Sequence, residues 1–205
     1  MFRRLFDSAA PLWRAASVLG DIIVINALLL LTALPLVTLG AGLTATYDTV
    51  RRLQDDTSEG AARTFWWSVR TNFSQASLLW LIVGSIGGLL LASWAFLPIA
   101  DLNVIKTLVT IVYLLAFPFV WALQARFVNT ASRTLRNAAT VSMARLPFAA
   151  GVLLIQAAVV AITIATSVFL PQLVALLLIL GYPFAVWASM PLIERTIAPM
   201  LTIDA

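Results

Sequence analysis

Five long apolar runs constrain what this 205-residue chain can fold into. Each run is close to the ~20 residues that an α-helix needs to cross the hydrocarbon core of a bilayer. Hydrophobic residues make up 61% of the chain and charged residues 11%, whereas soluble domains are nearer to about half and about a quarter. The sequence therefore predicts an all-α, polytopic transmembrane helix bundle that forms one integral membrane domain over residues 1–205. The runs are roughly Val18–Leu39, Leu78–Leu97, Val104–Ala125, Phe148–Leu170 and Leu173–Ile193.

The arginines lie outside these runs, in the segments that connect them. Short loops that carry arginine or lysine stay on the cytoplasmic side of a membrane. This rule predicts that loops 51–70 and 126–145 are cytoplasmic, and the second to fifth runs all satisfy it. The formal charge of +4 is explained in the same way, so we expect the lipid bilayer, and no nucleic acid, as the partner of these arginines.

The first run departs from the rule because arginines both precede and follow it. A single crossing would leave one of the two clusters outside. Pro35 removes a backbone donor and Gly40 and Gly42 loosen the helix, so we predict a hinge and a break at Pro35–Gly42. Segment 18–56 would then return to the cytoplasmic side as a broken hairpin; the alternative is a plain span with an outside N-terminus. The returning helix is predicted to carry i,i+4 ion pairs between Asp48 and Arg52, Arg51 and Asp55, and Arg52 and Asp56.

Amphipathic segments precede the other runs. Residues 1–17 are predicted to form an interfacial helix, and similar patterns occur at Ala61–Phe73 and, with more polar residues, at Val128–Ala144. Residues 60–125 and 127–193 each combine such a helix with a helical hairpin. Arginine, proline and tryptophan motifs recur in the same order in both, which is compatible with a duplication or with convergence at membrane boundaries.

Cysteine and histidine are both absent from the chain. Their absence removes thiol chemistry, the commonest transition-metal ligands and the usual general base of serine hydrolases. We therefore expect that the chain is not an enzyme and that it has no metal site and no cofactor.

Polar and indole side chains within the apolar runs are the candidate substrate-binding residues, because burying polar groups in lipid is costly. Amides and indole rings suit a hydroxyl-rich solute such as a sugar, which hydrogen-bonds at its rim and stacks on its C–H face. The alternative is that the amides bond between helices and that tryptophans anchor the interface. The predicted cavity residues are Asp21, Asn26, Trp121, Gln124, Gln156 and Trp187.

A second candidate site follows the third run, where Arg126, Asn129 and Arg133 recur at helical spacing and Arg136 comes shortly after. Lipid headgroup contact explains this pattern, and so does docking to a cytoplasmic partner or gating at the inner mouth. A separate ridge of small residues on the second run allows close packing within a bundle or a homo-oligomer. That ridge consists of Gly84, Gly88 and Ala92.

Several motifs together resemble the YesL-like family of small bacterial membrane proteins, and the resemblance covers most of the chain. It implies a protein of the bacterial cytoplasmic membrane whose genes tend to accompany carbohydrate-uptake systems, particularly those for plant-polysaccharide oligosaccharides. It implies no catalytic residue set. The motifs are Asn26 with Leu34–Gly40 and Ala45–Tyr47, Phe65-Trp66 with Asn72-Phe73, Phe117-Pro118 with Ala125–Phe127 and Asn129-Thr130, and Thr134–Ala138.

From these observations we expect a membrane component of carbohydrate uptake that binds and translocates a sugar or oligosaccharide through a cavity in the bundle. The alternative is a non-transporting accessory or regulatory protein of an ABC sugar importer, acting through the arginines of 126–136.

Overall fold

The computed structural model describes residues 11–170, 172 and 174–201, and within them every regular element is helical. A single turn of 3₁₀-helix at Ala100–Leu102 precedes the fourth α-helix. The predicted all-α helix bundle is therefore confirmed. The helices are α1 (Pro11–Ala33), α2 (Leu39–Gln54), α3 (Ala61–Phe96), α4 (Asn103–Gln124), α5 (Ala131–Ala144), α6 (Leu146–Phe169) and α7 (Val174–Leu201).

Four helical segments in the described residues are long and apolar enough to cross a membrane, which makes the chain a membrane protein. They are Ala15–Ala33, Ala61–Phe96, Ala100–Gln124 and Leu146–Phe169. The fifth predicted run lies in α7, and its first residue, 173, falls outside the described residues. Residues 1–10 of the predicted N-terminal interfacial helix also fall outside them, while Pro11 already belongs to α1.

Helix α3 is longer than a membrane span. Its 36 residues extend for ~54 Å at 1.5 Å per residue, against a hydrocarbon core of ~30 Å. The segment predicted as a separate interfacial helix, Ala61–Phe73, is continuous with the second span, because neither proline nor glycine interrupts the chain between them. The first turns of α3 therefore extend beyond the hydrocarbon region.

The predicted break in the first run is confirmed, although it is shorter than expected. Helix α1 ends at Ala33 and α2 begins at Leu39, with an exposed Pro35 in the turn. Gly40 and Gly42 lie inside the regular helix α2, at points of close contact. A Cβ atom at Gly40 would overlap the carbonyl oxygen of Ala76 in α3, so this glycine permits close packing and does not loosen the helix.

Helix α2 is the centre of the bundle even though it is one of the least apolar helices. Every residue from Gly40 to Val50 is buried, and α1, α3, α4 and α7 pack around it. Its threonine hydroxyls bond within the helix: Thr44 donates to the Gly40 carbonyl and Thr46 to the Gly42 carbonyl, both at 2.9 Å. These bonds satisfy the hydroxyls without a partner from another helix.

Helix α7 is interrupted at Gly181, whose φ of 52° and ψ of −154° are not helical. The side chain of Asn26 in α1 fills this break, and its Nδ2 donates to the Ile179 carbonyl at 3.0 Å. A Cβ atom at Gly181 would overlap the Asn26 amide. Glycine is required here both for the positive φ and for the close approach of the amide.

Candidate functional site

The arginine-bearing segments meet at one end of the bundle, which we call the arginine end. The Gln75 side chain in α3 donates to the Asn129 carbonyl after α4. Arg126 forms an ion pair with Glu194 near the end of α7, and Arg145, which precedes α6, donates to the Arg195 carbonyl at 3.4 Å. The end of α4, the beginning of α6 and the end of α7 are thereby joined.

The larger candidate site at this end is the α1–α2–α7 cleft, which has a volume of about 770 Å³. It brings together residues near the beginning of α1 and residues near the end of α2, so the two helices run antiparallel. The cleft is lined by Ser17, Val18, Asp21, Ile22, Val50, Leu53, Gln54, Asp56, Trp187, Ala188 and Pro191.

The chemistry of this cleft combines carboxylates with an indole ring and apolar walls. Trp187 stacks on Phe184 with ring centroids 6.2 Å apart, and its carbonyl accepts a hydrogen bond from Gln54 Nε2 at 2.9 Å. These contacts fix the wall of α7 against the end of α2. The carboxylates of Asp21 and Asp56 can accept hydrogen bonds from ligand hydroxyls, while the ring of Trp187 offers an apolar face.

The structure brings Asp21 and Trp187, two of the predicted cavity residues, into this cleft, and the other four lie elsewhere. Asn26 binds the break in α7. Trp121 is fully buried against Trp80 and Phe117, at centroid distances of 6.2 and 5.8 Å.

Gln156 belongs to a buried polar network at the contact of α2, α6 and α7. Its Nε2 donates to the Tyr47 hydroxyl at 3.1 Å and lies 3.5 Å from Ser189 Oγ. The Tyr47 and Tyr182 hydroxyls share a hydrogen bond of 2.8 Å. Because these groups satisfy one another, the network stabilises the contact between three helices.

Gln124 lines a second opening, the arginine cleft, between the end of α2, the beginning of α3 and the end of α4. Its volume is about 390 Å³, and no aspartate or glutamate is among its lining residues. Behind it, the buried Asp48 accepts from Arg51 at 2.9 Å and from Arg52 at 3.0 Å. The cleft is lined by Arg51, Arg52, Trp67, Thr71, Asn72, Gln75, Gln124, Ala125, Arg126, Phe127 and Val128.

Sequence spacing predicted part of this ion-pair arrangement. The Asp48–Arg52 and Arg51–Asp55 pairs are confirmed, the latter at 3.4 Å. The predicted pair of Arg52 with Asp56 is wrong, because Arg52 pairs with Asp48. Asp56 lies beyond the end of α2 with a φ of 53°, so the i,i+4 spacing of a helix does not apply to it.

The predicted arginine face of 126–136 is divided between two elements. Arg126 and Asn129 lie in the connection after α4, because Thr130 caps α5 by accepting from the Arg133 backbone N–H at 3.4 Å. Arg133 and Arg136 are exposed on α5. The regular helical spacing that the sequence suggested for this set is therefore wrong for its first two members.

Several lining residues were not predicted as site residues, among them Gln54, Trp67 and Asn72. Arg51 and Arg52 were predicted only as topology signals and ion-pair partners. The sequence pattern that could have indicated the arginine cleft is the pair of adjacent arginines at the end of a helix, followed by tryptophans about fifteen residues later. Among the described residues, no group of three or more His, Cys, Asp or Glu side chains could hold a metal ion.

Comparison with known families gives one match. Residues 22–94 match the family model described as "Protein of unknown function, DUF624". The YesL-like proteins are members of this family, so the match supports the resemblance over α1, α2 and most of α3. The matched DUF624 segment contributes Gln54 and Asp56 to the α1–α2–α7 cleft and Arg51 and Arg52 to the arginine cleft. No curated protein and no solved structure matched the chain.

Proposed function

We propose that this protein is a membrane component of bacterial carbohydrate uptake and that it binds a sugar or short oligosaccharide in the α1–α2–α7 cleft. The single observation that carries this proposal is the meeting of Asp21 and Trp187 in one cleft of about 770 Å³. Small-molecule sites are commonly clefts of ~300–1,000 Å³ with a few polar groups on apolar walls.

The same proposal sets the orientation of the protein in the bacterial cytoplasmic membrane. Loops 51–70 and 126–145 carry most of the arginines, and contacts such as Gln75 with Asn129 bring them to one end of the bundle. By the positive-inside rule, this end faces the cytoplasm. The sugar cleft, which also lies at this end, then faces the cytoplasm in the state described.

Translocation requires the helices around the cleft to move, because large buried side chains such as Tyr47 and Trp121 fill the interior of the bundle. The turn at Pro35 joins α1 to α2, and α7 is already interrupted at Gly181. Movement of the α1–α2 pair relative to α7 would open the cleft toward the other side.

Uptake and binding by the purified full-length protein test this proposal. Proteoliposomes are given tritiated galactose, cellobiose and maltotriose, and binding of the same sugars is measured in detergent by calorimetry. We expect binding of at least one sugar, and loss of both binding and uptake in Asp21→Asn and Trp187→Ala. Trp66→Ala is the control, because this partly exposed indole lies in α3 away from the cleft. Absence of both binding and uptake across the panel would overturn the proposal.

The second candidate is an accessory protein of an ABC sugar importer, and the exposure of Arg133 and Arg136 on α5 favours it. In this case we expect importer subunits to co-purify with the protein, and a double Arg133→Gln, Arg136→Gln variant to release them while sugar binding to the cleft is unchanged. Retention of the subunits by this variant would contradict the accessory role of α5.

A further inference from the structure

The guanidinium groups of the arginine cleft are held in place by carboxylates that lie behind them. Asp48, with a side chain 1% exposed, accepts from both Arg51 and Arg52 through one oxygen. The Arg52 guanidinium lies 4.8 Å from the centre of the Trp67 ring. Its two terminal amino groups have no hydrogen-bond partner among the described residues, so they are oriented and available to a ligand.

Arg126, in the connection after α4, also lines the arginine cleft. Its Nη1 is paired with Glu194, which lies outside the cleft lining, and its Nε and Nη2 have no hydrogen-bond partner in the described part of the chain. Two preoriented arginines from different elements that line one cleft are suited to an anion with several oxygens, because guanidinium groups bind such anions through more than one N–H donor.

The cleft also contains an acceptor without a partner. Gln124 is 4% exposed and its Oε1 has no hydrogen bond within the described residues, while its Nε2 faces Asn72 Oδ1 at 3.4 Å. A buried acceptor costs free energy unless a donor reaches it. A phosphodiester or an ionised carboxylate supplies no donor of its own, so the arrangement points to an anion that also carries a hydroxyl group.

The position of the cleft along α3 matches the depth of lipid phosphates. From Asn72 to Trp94, near the other end of α3, the helix rises ~33 Å, against a hydrocarbon thickness of ~30 Å. Trp94 is partly exposed and lies beside Lys106, with the ammonium 5.0 Å from the ring centre, as expected at a membrane interface. At the cleft itself, Val128 is fully exposed and Trp67 is 53% exposed.

We propose that the arginine cleft binds the phosphate group of a hydroxyl-bearing phosphate ester, with Arg52 and Arg126 on the phosphate and Gln124 on a hydroxyl. This chemistry is found in the headgroup of an anionic phospholipid such as phosphatidylglycerol and in soluble glycerol 1-phosphate. The proposal does not depend on sugar binding in the α1–α2–α7 cleft.

The experiment measures binding of phosphatidylglycerol, phosphatidylcholine and glycerol 1-phosphate to the full-length protein in detergent by native mass spectrometry and thermal stabilisation. We expect phosphatidylglycerol to bind and phosphatidylcholine not to stabilise the protein. Loss of charge-assisted hydrogen bonds in an Arg52→Gln, Arg126→Gln variant is expected to weaken binding by about tenfold or more.

Arg70→Gln is the matched control, because Arg70 is exposed on α3 and does not line the cleft. Stronger binding of phosphatidylglycerol than of glycerol 1-phosphate identifies a lipid site, and equal affinities identify a soluble ligand.

A second variant keeps the proposal testable if the arginine variant fails to fold. Gln124→Leu is expected to weaken phosphatidylglycerol binding while leaving phosphatidylmethanol binding unchanged, because the phosphodiester of phosphatidylmethanol carries no hydroxyl group. The proposal would be overturned if Arg70→Gln lost as much phosphatidylglycerol binding as the double arginine variant. It would also be overturned if neither cleft variant lost phosphatidylglycerol binding.

Discussion

Substitution of Gly40 by alanine tests how closely α2 must approach α3. The added methyl group would overlap the Ala76 carbonyl oxygen and the Trp80 Cβ atom. The carbonyl is backbone and cannot rotate away, so the two helices must separate. This overlap should destabilise the fold by ~3 kcal/mol, at the upper end of the usual range for overpacking. Alanine regains ~1 kcal/mol of helix propensity over glycine, which leaves a net loss of ~2 kcal/mol.

Gly88→Ala is the matched control, since Gly88 also lies inside a helix and a Cβ atom there meets nothing within 4 Å. It gains the same helix propensity without the overlap, so the two variants should differ by ~3 kcal/mol. At ~2–4 °C per kcal/mol for a chain of this length, their thermal unfolding midpoints should differ by ~6–12 °C. The midpoints are measured by tryptophan fluorescence and by retention of the monodisperse peak in detergent. Equal midpoints for Gly40→Ala and Gly88→Ala would refute the claim that close packing requires glycine at residue 40.

Two other substitutions test the interior of the bundle by the same thermal assay. Gly181→Ala should lower the midpoint through ~1–3 kcal/mol of backbone strain and through overlap with the Asn26 amide, while Gly20→Ala, which meets nothing within 4 Å, should not lower it. Gln156→Leu should cost ~1–3 kcal/mol by removing the donor to the buried Tyr47 hydroxyl. Combining it with Tyr47→Phe should cost less than the sum of the two single changes, and strict additivity would show that the hydrogen bond contributes nothing.

The sequence predicted the helices that face lipid much better than the helix they enclose. Apolar runs of membrane length identify spans because lipid-exposed and buried faces are both apolar. Helix α2 gives no such signal, since it is a 16-residue helix containing Thr44, Thr46 and Asp48, and its central position depends on packing. The glycines of Gly40–Gly42 are visible in the sequence, but only the structure shows that Gly40 permits close approach to Ala76 and Trp80 and that Gly42 permits close approach to Thr32.

The candidate site was harder to predict than the fold, because its members are far apart in the chain. Asp21 and Trp187 could be selected as polar and indole side chains within apolar runs, but no spacing rule indicates that α1 and α7 meet. Trp121 is also an indole side chain within an apolar run, but it is packed in the core. Residue type therefore selected the candidates, and the packing of α7 against α1 decided which of them share a cleft.

Helix α2 separates the two candidate clefts, and this gives a way to test whether they are coupled. At 100° per residue, Val50, Leu53 and Gln54 lie on one face and line the α1–α2–α7 cleft, while Arg51 and Arg52 lie on the other and line the arginine cleft. A ligand in either cleft thus contacts the same last turn of the same helix.

If both proposed ligands bind, the factor by which the phosphate ester changes sugar affinity must equal the factor by which sugar changes phosphate affinity. Four binding measurements test this equality: the affinity for each ligand is measured in the absence of the other ligand and again with the other ligand at a saturating concentration. A common factor other than one would identify the end of α2 as the connection between the sites, whereas a factor of one in both directions would show that its two faces act independently.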